Sequence, residues 1–388
     1  MQLAYSKEIL GELIGFPSLS DDSNLALIDY AAGLLRLCGA EVDIQAAPCG
    51  TKANLFATLG PRVDGGIVLA GHTDVVPVAG QDWGSDPFVM VEREGRLYGR
   101  GACDMKGFLA AVLASAPVFA RRVHDRPLHI AMTYDEETGC FGAQALAGML
   151  KAQGLRPSLA IVGEPTEMKI IEGHKGCYEY CTHFQGLEGH GSQPDFGVNA
   201  AEAAVKYVSR LLHLRDILRD MAPADSPFDP PWTTINIGQI QAGVARNVIA
   251  GQAQVDWEMR PVDPKDAHFV TTALRDYVTH ELLPQMRAVH AGSDVRTQVV
   301  AEVGPLMPTT RNEARRIVSA LTGHKDAAQV AFGTEGGIYQ ALGMDVVVCG
   351  PGSIRQAHKA DEYLALDQLK ACLRMLDGLS EHLSAAGK

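Results

Sequence analysis

The order of apolar and polar positions divides the chain into two kinds of pattern. From about residue 20 to 160, short apolar runs alternate with stretches whose apolar residues recur every three or four positions. The predicted strands are 66–71, 128–134 and 159–163, and the predicted helices are 25–37, 108–120 and 143–151. Strands that alternate with helices in this way indicate an α/β layer with a largely parallel sheet.

A second pattern begins near residue 177, where polar and apolar positions alternate as they do in half-buried strands. The predicted elements are strand 178–185, helix 199–219, strands 233–237 and 253–259, helix 264–286 and strand 295–303. This β-α-β-β-α-β order is the ferredoxin-like signature. The α/β pattern then returns with helix 312–321, strand 345–349 and a helix from 366. We therefore predict an α/β/α domain of residues 1–177 and 305–388, interrupted by an α+β domain of residues 178–304.

Composition excludes several classes of protein. Hydrophobic residues make up 46% of the 388 positions and charged residues 21%, which excludes intrinsic disorder. The net charge of −12 argues against nucleic acid and anionic membranes as partners, because both require clustered Lys and Arg. The eight cysteines form no CxxC pair, and neither a signal peptide nor a run of 18 apolar residues is present. We expect a soluble cytoplasmic protein.

Histidines and acids follow several of the predicted strands, where open α/β sheets bind their ligands. His72 and Asp74 come directly after strand 66–71. Side chains two positions apart in an extended segment point the same way, so Asp74 is placed to accept the spare ring N–H of a metal-ligating His72. The alternative is a surface His–Asp pair.

Two further acidic segments allow both a functional and a structural interpretation. Asp104 lies between glycines before an apolar helix, where it is a helix N-cap, a site residue, or both. Residues 135–137 place three carboxylates in succession after a strand, and such like charges are costly unless a cation or solvent relieves them. This segment is either a solvated loop or a site in which Glu136 and Glu137 divide proton transfer and metal binding.

Glu164 ends a predicted strand, and His358 follows a glycine-rich loop after strand 345–349. The candidate ligands together supply two imidazoles and three carboxylates: His72, Asp104, Glu137, Glu164 and His358. This thiolate-free set suits Zn²⁺ or a similar divalent ion, and with one bridging carboxylate it suffices for two ions that share a water. His190, in a glycine turn of the inserted domain, is a further candidate. No Gly-x-Ser-x-Gly elbow of a serine hydrolase fits residues 350–353.

These segments resemble the M20 family of metallopeptidases and deacylases. The matching motifs are GHTDVVP at 71–77, GACDMKG at 101–107, DEETG at 135–139, GEP at 163–165 and GH at 189–190. The acetylornithine deacetylase branch of the family is suggested by TINIG at 234–238, RP at 260–261, GTE at 333–335, GPGSI at 350–354 and AH at 357–358. The resemblance extends over nearly the whole chain.

The resemblance implies a metal-dependent catalytic domain with an inserted lid and dimerisation domain. His72 and Glu164 would hold one metal and Glu137 and His358 the other, with Asp104 bridging. The implied cofactors are two Zn²⁺ per subunit, for which Co²⁺ can substitute.

The resemblance also implies roles in catalysis and substrate binding. Glu136 would be the general base, which takes a proton from the bridging water and passes it to the leaving amine. Asp74 would orient the first histidine ligand, and His190 would stabilise the oxyanion, in dimeric relatives at the partner's active site. The residues that resemble substrate-carboxylate contacts are Asn247, Arg260, Gly333 and Thr334.

The function that the resemblance implies is removal of the acetyl group from N2-acetyl-L-ornithine, which gives L-ornithine and acetate in arginine biosynthesis. The alternatives are a deacylase, desuccinylase or dipeptidase of the same family that acts on another N-acyl amino acid, and a catalytically silent member that only binds a metabolite. The intact Glu136 argues against the silent member. The expected partners are a small N-acyl amino acid and a second copy of the chain, bound through the inserted domain.

Overall fold

The computed structural model describes residues 2–123 and 125–385, which form two compact units. Unit 1 comprises the chain up to Gly173, Leu306–Gln329 and the chain from Thr334 onward, and unit 2 comprises His174–Pro305 and Val330–Gly333. These bounds differ from the predicted ones at residues 174–177 and 305, and residues 330–333 belong to unit 2 although the sequence pattern did not separate them.

The helices agree with the predicted ones where a prediction was made, apart from their ends. In chain order they are α1 (Gln2–Ile14), α2 (Leu25–Leu37), α3 (Lys106–Arg122), α4 (Phe141–Gln153), α5 (Ala200–Asp220), α6 (Pro264–Tyr277), α7 (Leu283–Val289), α8 (Glu313–Thr322), α9 (Gly336–Ala341) and α10 (Leu366–Ala385). None of these helices in the described residues is both long enough and apolar enough to cross a membrane.

Several strands are shorter than the sequence pattern can reveal. The strands are β1 (Glu41–Ala46), β2 (Ala53–Leu59), β3 (Ile67–His72), β4 (Val91–Arg93), β5 (Arg96–Tyr98), β6 (Leu128–Thr133), β7 (Leu159–Pro165), β8 (Ile170–His174), β9 (Cys177–Gln185), β10 (Gly189–His190), β11 (Thr234–Ala242), β12 (Val248–Ile249), β13 (Gln252–Arg260), β14 (Asp294–Val303), β15 (Ala327–Val330), β16 (Asp345–Gly350) and β17 (Tyr363–Ala365). The sequence analysis did not predict α1, α9, β1, β2, β4, β5, β8, β10, β12, β15 or β17.

Unit 1 is built on an eight-stranded sheet of order β1-β2-β6-β3-β7-β16-β8-β15. The four strands β6, β3, β7 and β16 are parallel, whereas β1, β2 and β8 pair antiparallel with their neighbours. The sheet is therefore parallel at its centre and antiparallel in its flanks, which the expectation of a largely parallel sheet did not include. The loop 47–52 between β1 and β2 is too short for the crossover that a parallel pair requires.

Helices cover the central strands of unit 1 in two separate groups. Helices α1, α2 and α10 contact α3, and α8 contacts α10, whereas α4 contacts α9. Buried side chains of the strands, such as Leu69, Ile130 and Ile161, pack in one core with Phe108 and Leu113 of α3. Full burial of such a side chain stabilises the fold by about 1.5–3 kcal/mol. The predicted α/β class is confirmed.

Unit 2 has the predicted ferredoxin-like arrangement, a four-stranded antiparallel sheet of order β11-β13-β9-β14 with helices α5 and α6. Its core includes Tyr180 stacked on Trp257, with ring centroids 4.4 Å apart. The predicted helix 264–286 is interrupted by a π turn at Val278–Leu282. Pro284 follows this turn, and because proline has no amide proton and collides with the preceding turn, the wider π turn accommodates it.

Candidate active site

The carboxyl ends of the parallel strands in unit 1 bring the candidate residues together. His72 ends β3, Glu164 lies near the end of β7, and residues 135–137 and His358 follow β6 and β16. These strands are direct neighbours in the order β6-β3-β7-β16, so their carboxyl ends form one edge of the sheet. The motifs that are dispersed along the chain therefore converge at a single site.

Close packing beneath this edge explains the glycine before Glu164. A Cβ atom at Gly163 would lie 2.1 Å from the ring of Phe108 in α3. No larger residue fits there, because the ring of Phe108 packs directly against the strand backbone. The backbone that carries Glu164 is thus held against α3.

His72 is 1% exposed and lies at the centre of the site. Its Nδ1 donates to the main-chain oxygen of Asp74 at 2.9 Å, since a carbonyl can only accept. Its Nε2 faces Asp104 Oδ1 at 3.1 Å and Glu164 Oε1 at 3.7 Å. Although burial opposes the change, the carboxylates of Asp104 and Asp74 raise the pKa of His72 well above its usual range. The carboxylates around Nε2 therefore favour a positive charge at this atom, on the imidazole or on a bound cation.

Asp74 links the ends of β3 and β6. Its carboxylate accepts the backbone N–H groups of Glu136 at 3.1 Å and Glu137 at 3.2 Å, and the hydroxyl of Ser20 at 2.9 Å. The nearest distance from this carboxylate to His72 Nδ1 is 3.6 Å, so the main-chain oxygen makes the shorter contact with the imidazole. Asp74 thus holds the imidazole through its backbone and residues 136–137 through its side chain.

Asp104 lies between the two histidines. Its Oδ1 faces His72, and its Oδ2 is 3.4 Å from Nε2 of His358. The same Nε2 lies 3.1 Å from Oε2 of Glu137. Hydrogen bonds to Asp104 and Glu137 raise the pKa of His358 to about 10, and the two imidazoles lower the pKa of Asp104 despite its burial. The peptide bond between Asp104 and Met105 is cis.

The carboxylates at the site are crowded together. Burial raises the pKa of Glu136, Glu137 and Glu164, and repulsion from the neighbouring carboxylates raises each of them further. Among the described residues, Glu164 Oε1 is a buried oxygen without a hydrogen-bond donor, which is a costly arrangement. A bound cation would reduce the repulsion between the carboxylates and would give Glu164 Oε1 a partner.

Two overlapping groups at the site have the spacing of metal ligands. His72, Glu136 and Glu164 form one group, and His72, Asp104 and Glu137 form the other, with ligand atoms within 4.8 Å of one another in each. Ligand–zinc distances of about 2.0–2.2 Å are compatible with this spacing. The residues present therefore fit a divalent cation.

The sequence analysis missed two buried acids beside this cluster. Glu362 is 1% exposed and accepts the backbone N–H groups of Cys103 and Asp104. Glu335 accepts the hydroxyl of Thr133 at the end of β6, and burial raises the pKa of Glu335 to about 7. Glu335 lies inside the GTE motif at 333–335, and Glu362 lies four positions after His358. Only their burial distinguishes these two acids from surface acids.

The remaining candidates lie in unit 2, except Thr334. His190 is exposed in β10, which pairs with β12, and Asn247 O accepts the N–H of Gly191 at 2.8 Å. A Cβ at Gly191 would lie 3.0 Å from the Asn247 backbone, so glycine permits this close approach. Asn247 thus lies beside His190, and their roles stay predictions.

Arg260, at the end of β13, forms an ion pair with Glu258 at 2.6 Å. Gly333 lies within unit 2, whereas Thr334 is buried in unit 1 and accepts the N–H of Gly336 at 3.0 Å. The predicted substrate contacts of these residues likewise stay predictions.

Residues 68–382 match the family model described as Peptidase family M20/M25/M40. The chain is 35% identical over 391 residues to the acetylornithine deacetylase of Proteus mirabilis (strain HI4320), covering 98% of this chain and 97% of that protein. It is 35% identical over 386 residues to the acetylornithine deacetylase of Klebsiella pneumoniae (strain 342), covering 97% of each. The solved structure of the M20 family metallo-carboxypeptidase Sso-CP2 from Sulfolobus solfataricus is similar in fold, with a TM-score of 0.76, 15% identity, and 98% and 99% of the two chains covered.

Proposed function

This chain belongs to peptidase family M20/M25/M40, and we propose that it removes the acetyl group from N2-acetyl-L-ornithine to give L-ornithine and acetate. Such a reaction serves arginine biosynthesis. The observation that carries the proposal is the cluster of two histidines and three acids at the carboxyl ends of neighbouring parallel strands, together with Asp104 before α3. The similarity over almost the full chain to two acetylornithine deacetylases supports this substrate.

We propose two Zn²⁺ ions per subunit, with Co²⁺ able to substitute. His72 and Glu164 would hold one ion, Glu137 and His358 the other, and Asp104 would contact both. The opposite orientation of the two Asp104 oxygens, one toward His72 and one toward His358, supports this division. A bound divalent ion polarises an acyl carbonyl and makes water more acidic.

Glu136 would move the proton in this reaction. Its backbone is held by Asp74, and its carboxylate lies within the group that includes His72 and Glu164. One carboxylate oxygen would accept the proton of the attacking water and then donate it to the departing amine of ornithine. The carbon–nitrogen bond breaks as the acetate forms.

In unit 2, His190 would donate a hydrogen bond to the oxyanion of the substrate. Asn247, Arg260, Gly333 and Thr334 would bind its carboxylate. We further propose a homodimer formed through unit 2 and a cytoplasmic location. The eight free cysteines suit a reducing compartment.

A panel of substrates tests the proposal. Values of kcat/KM are compared for N2-acetyl-L-ornithine, N-acetylmethionine, succinyl-diaminopimelate and simple dipeptides, each with Zn²⁺ or Co²⁺ supplied. We expect N2-acetyl-L-ornithine to be preferred by about 10-fold or more, since a side chain that is recognised by polar groups discriminates strongly. A preference for another acyl amino acid or for a dipeptide would contradict the proposed substrate but not the proposed hydrolase activity.

Removal of the metal tests the chemistry separately. Treatment with a chelator is expected to abolish hydrolysis, and addition of Zn²⁺ or Co²⁺ to restore it. Activity that persists after complete removal of bound metal would contradict a metal-dependent mechanism.

A further inference from the structure

A buried ion pair lies beside the candidate active site in unit 1. Arg100 is fully buried and Glu362 is 1% exposed, and the guanidinium and carboxylate are 2.8 Å apart. Burial of two charges is costly and is offset only when further hydrogen bonds satisfy both groups. The other contacts of the pair therefore indicate what it holds in place.

The carboxylate of Glu362 binds the backbone that leads to Asp104. It accepts N–H groups from Gly101 at 3.0 Å, Cys103 at 2.8 Å and Asp104 at 3.0 Å. Three donors on one carboxylate fix the path of this loop. The direction in which the Asp104 side chain leaves the backbone depends on that path.

The guanidinium of Arg100 binds the backbone around His358. It donates to the main-chain oxygen of Lys359 at 3.3 Å and to the side-chain oxygen of Gln81 at 2.5 Å. Gln81 in turn donates to the main-chain oxygen of His358 at 3.1 Å. His358 has a φ of +62°, a conformation that non-glycine residues keep only when their surroundings hold it.

A small three-stranded sheet brings the two charged residues together. Strand β17 pairs with β5 so that Tyr363 lies opposite Tyr98, and the N–H of Gly99 donates to the main-chain oxygen of Glu362 at 3.0 Å. Glu362 and Arg100 are therefore adjacent although 262 positions separate them. The ion pair joins the loop of Asp104 to the loop of His358.

We propose that Arg100 and Glu362 are positioning residues that hold Asp104 and His358 at the geometry needed for the metal bound with Glu137. The inference rests on the proposed function, because it concerns a metal that the proposal assigns. His72 and Glu164 lie on β3 and β7 and are placed by the central sheet instead. Loss of the pair therefore weakens the ion held by Glu137 and His358 more than the ion held by His72 and Glu164, which the pair reaches only through Asp104.

Metal titration of the folded, metal-free protein tests the inference. Zn²⁺ is titrated against a competing chelator, and Co²⁺ absorption reports the ligand environment. The wild type is expected to bind two ions. In Glu362→Gln one side-chain oxygen is replaced by an amide donor that cannot accept the backbone N–H groups. We expect the affinity for the ion held by Glu137 and His358 to fall by about 10–100-fold, as for other residues that support metal ligands. The affinity for the ion held by His72 and Glu164, which the ion pair reaches only through Asp104, is expected to fall less.

The controls separate positioning from general stability. Glu313→Gln removes a carboxylate from the Arg126–Glu313 ion pair of unit 1, which lies at 2.9 Å, and is expected to leave both affinities unchanged. His358→Ala removes a proposed ligand and is expected to weaken the same ion that Glu362→Gln weakens most. Circular dichroism and thermal unfolding confirm that each variant is folded.

The outcomes distinguish the two proposals. A wild type that binds no metal would overturn the proposed function together with this inference. If the wild type binds two ions and the Glu362→Gln variant binds both with wild-type affinity, the inference alone would be overturned. Equal losses in Glu362→Gln and Glu313→Gln would also overturn it. If Glu362→Gln does not fold, Gln81→Ala is the second variant, because it removes the contact with the main-chain oxygen of His358 and leaves the contacts of Glu362 with the Asp104 loop. It is expected to weaken the same ion, and unchanged binding in that variant would contradict the inference.

Discussion

Glu136 and Glu137 are consecutive residues with different surroundings. Both backbone N–H groups donate to Asp74, but only Glu137 contacts His358, whereas Glu136 groups with His72 and Glu164. Their sequence position marks both as candidates, because acids after a buried strand lie at a ligand-binding edge. The division of roles depends on which side chain faces which histidine, and this contact is visible only in three dimensions.

We predict that Glu136→Gln lowers kcat by about 10²–10⁴-fold, because an amide of the same shape cannot accept the proton. Metal content, measured by atomic emission, is expected to stay near the wild-type value. Glu137→Gln is the contrast, since loss of a proposed ligand should lower metal content as well as kcat. Turnover near wild type in Glu136→Gln would show that another group moves the proton.

Strand β6 combines a buried histidine at its start with the candidate site at its end. His129 is fully buried, its Nδ1 lies 3.0 Å from the hydroxyl of Thr58, and its ring stacks on Phe56. Its Nε2 has no hydrogen-bond partner among the described residues. Burial lowers the pKa of His129 to about 4, and the positive charge of Arg62 adds to the effect. The imidazole is therefore neutral in the folded protein at neutral pH.

This histidine predicts a loss of stability in acid. Below about pH 6.5 the unfolded chain binds a proton at this position, and the folded protein does so only near pH 4, so the free energy of unfolding falls across that range. The expected contribution is at most about 3.5 kcal/mol, from roughly 1.4 kcal/mol per pKa unit.

Urea unfolding at several pH values between 7.5 and 4.5 measures this contribution. His129→Gln keeps a polar partner for Thr58 and should show a shallower decline than the wild type. His213→Gln removes an exposed imidazole from α5 and serves as the control. Parallel declines in His129→Gln and the wild type would contradict the prediction.

Among the secondary-structure elements, the ends of the long buried strands could be predicted from the sequence, whereas the short strands could not. A buried strand such as β3 has enough apolar residues to be recognised, so the position of His72 at its end was predictable. Strands β5 and β17 have three residues each, which is too few to display an alternating pattern. The pairing of Arg100 with Glu362 depends on these two strands and was therefore missed.

At the scale of the whole molecule, the metal-ligand candidates lie in unit 1 alone, among the described residues. Binding to the folded state stabilises the part that forms the site by about 2.7 kcal/mol at 100 times the dissociation constant. We predict that Zn²⁺ slows amide hydrogen exchange by up to about 100-fold in the segments that carry the ligands, 71–75, 101–107, 133–139, 163–165 and 350–362.

Hydrogen exchange followed by mass spectrometry, with and without Zn²⁺, measures this protection. Helix α5 of unit 2 is expected to exchange at the same rate in both conditions. The double variant His72→Ala/Glu164→Ala is the control, because it lacks one proposed pair of ligands. Protection gained mainly in unit 2 would place the principal metal site elsewhere.

The sequence by itself determined the α/β class, the ferredoxin-like insert and the motifs at the strand ends, because the periodicity of buried positions is a local property of the chain. The tertiary structure decided which strands are neighbours, and therefore that residues from β3, β6, β7 and β16 meet at one edge. It also decided the antiparallel flanks of the sheet and the burial of Glu362 between two loops. Contacts between residues far apart in the chain arise from packing of the whole unit, so no local pattern contains them.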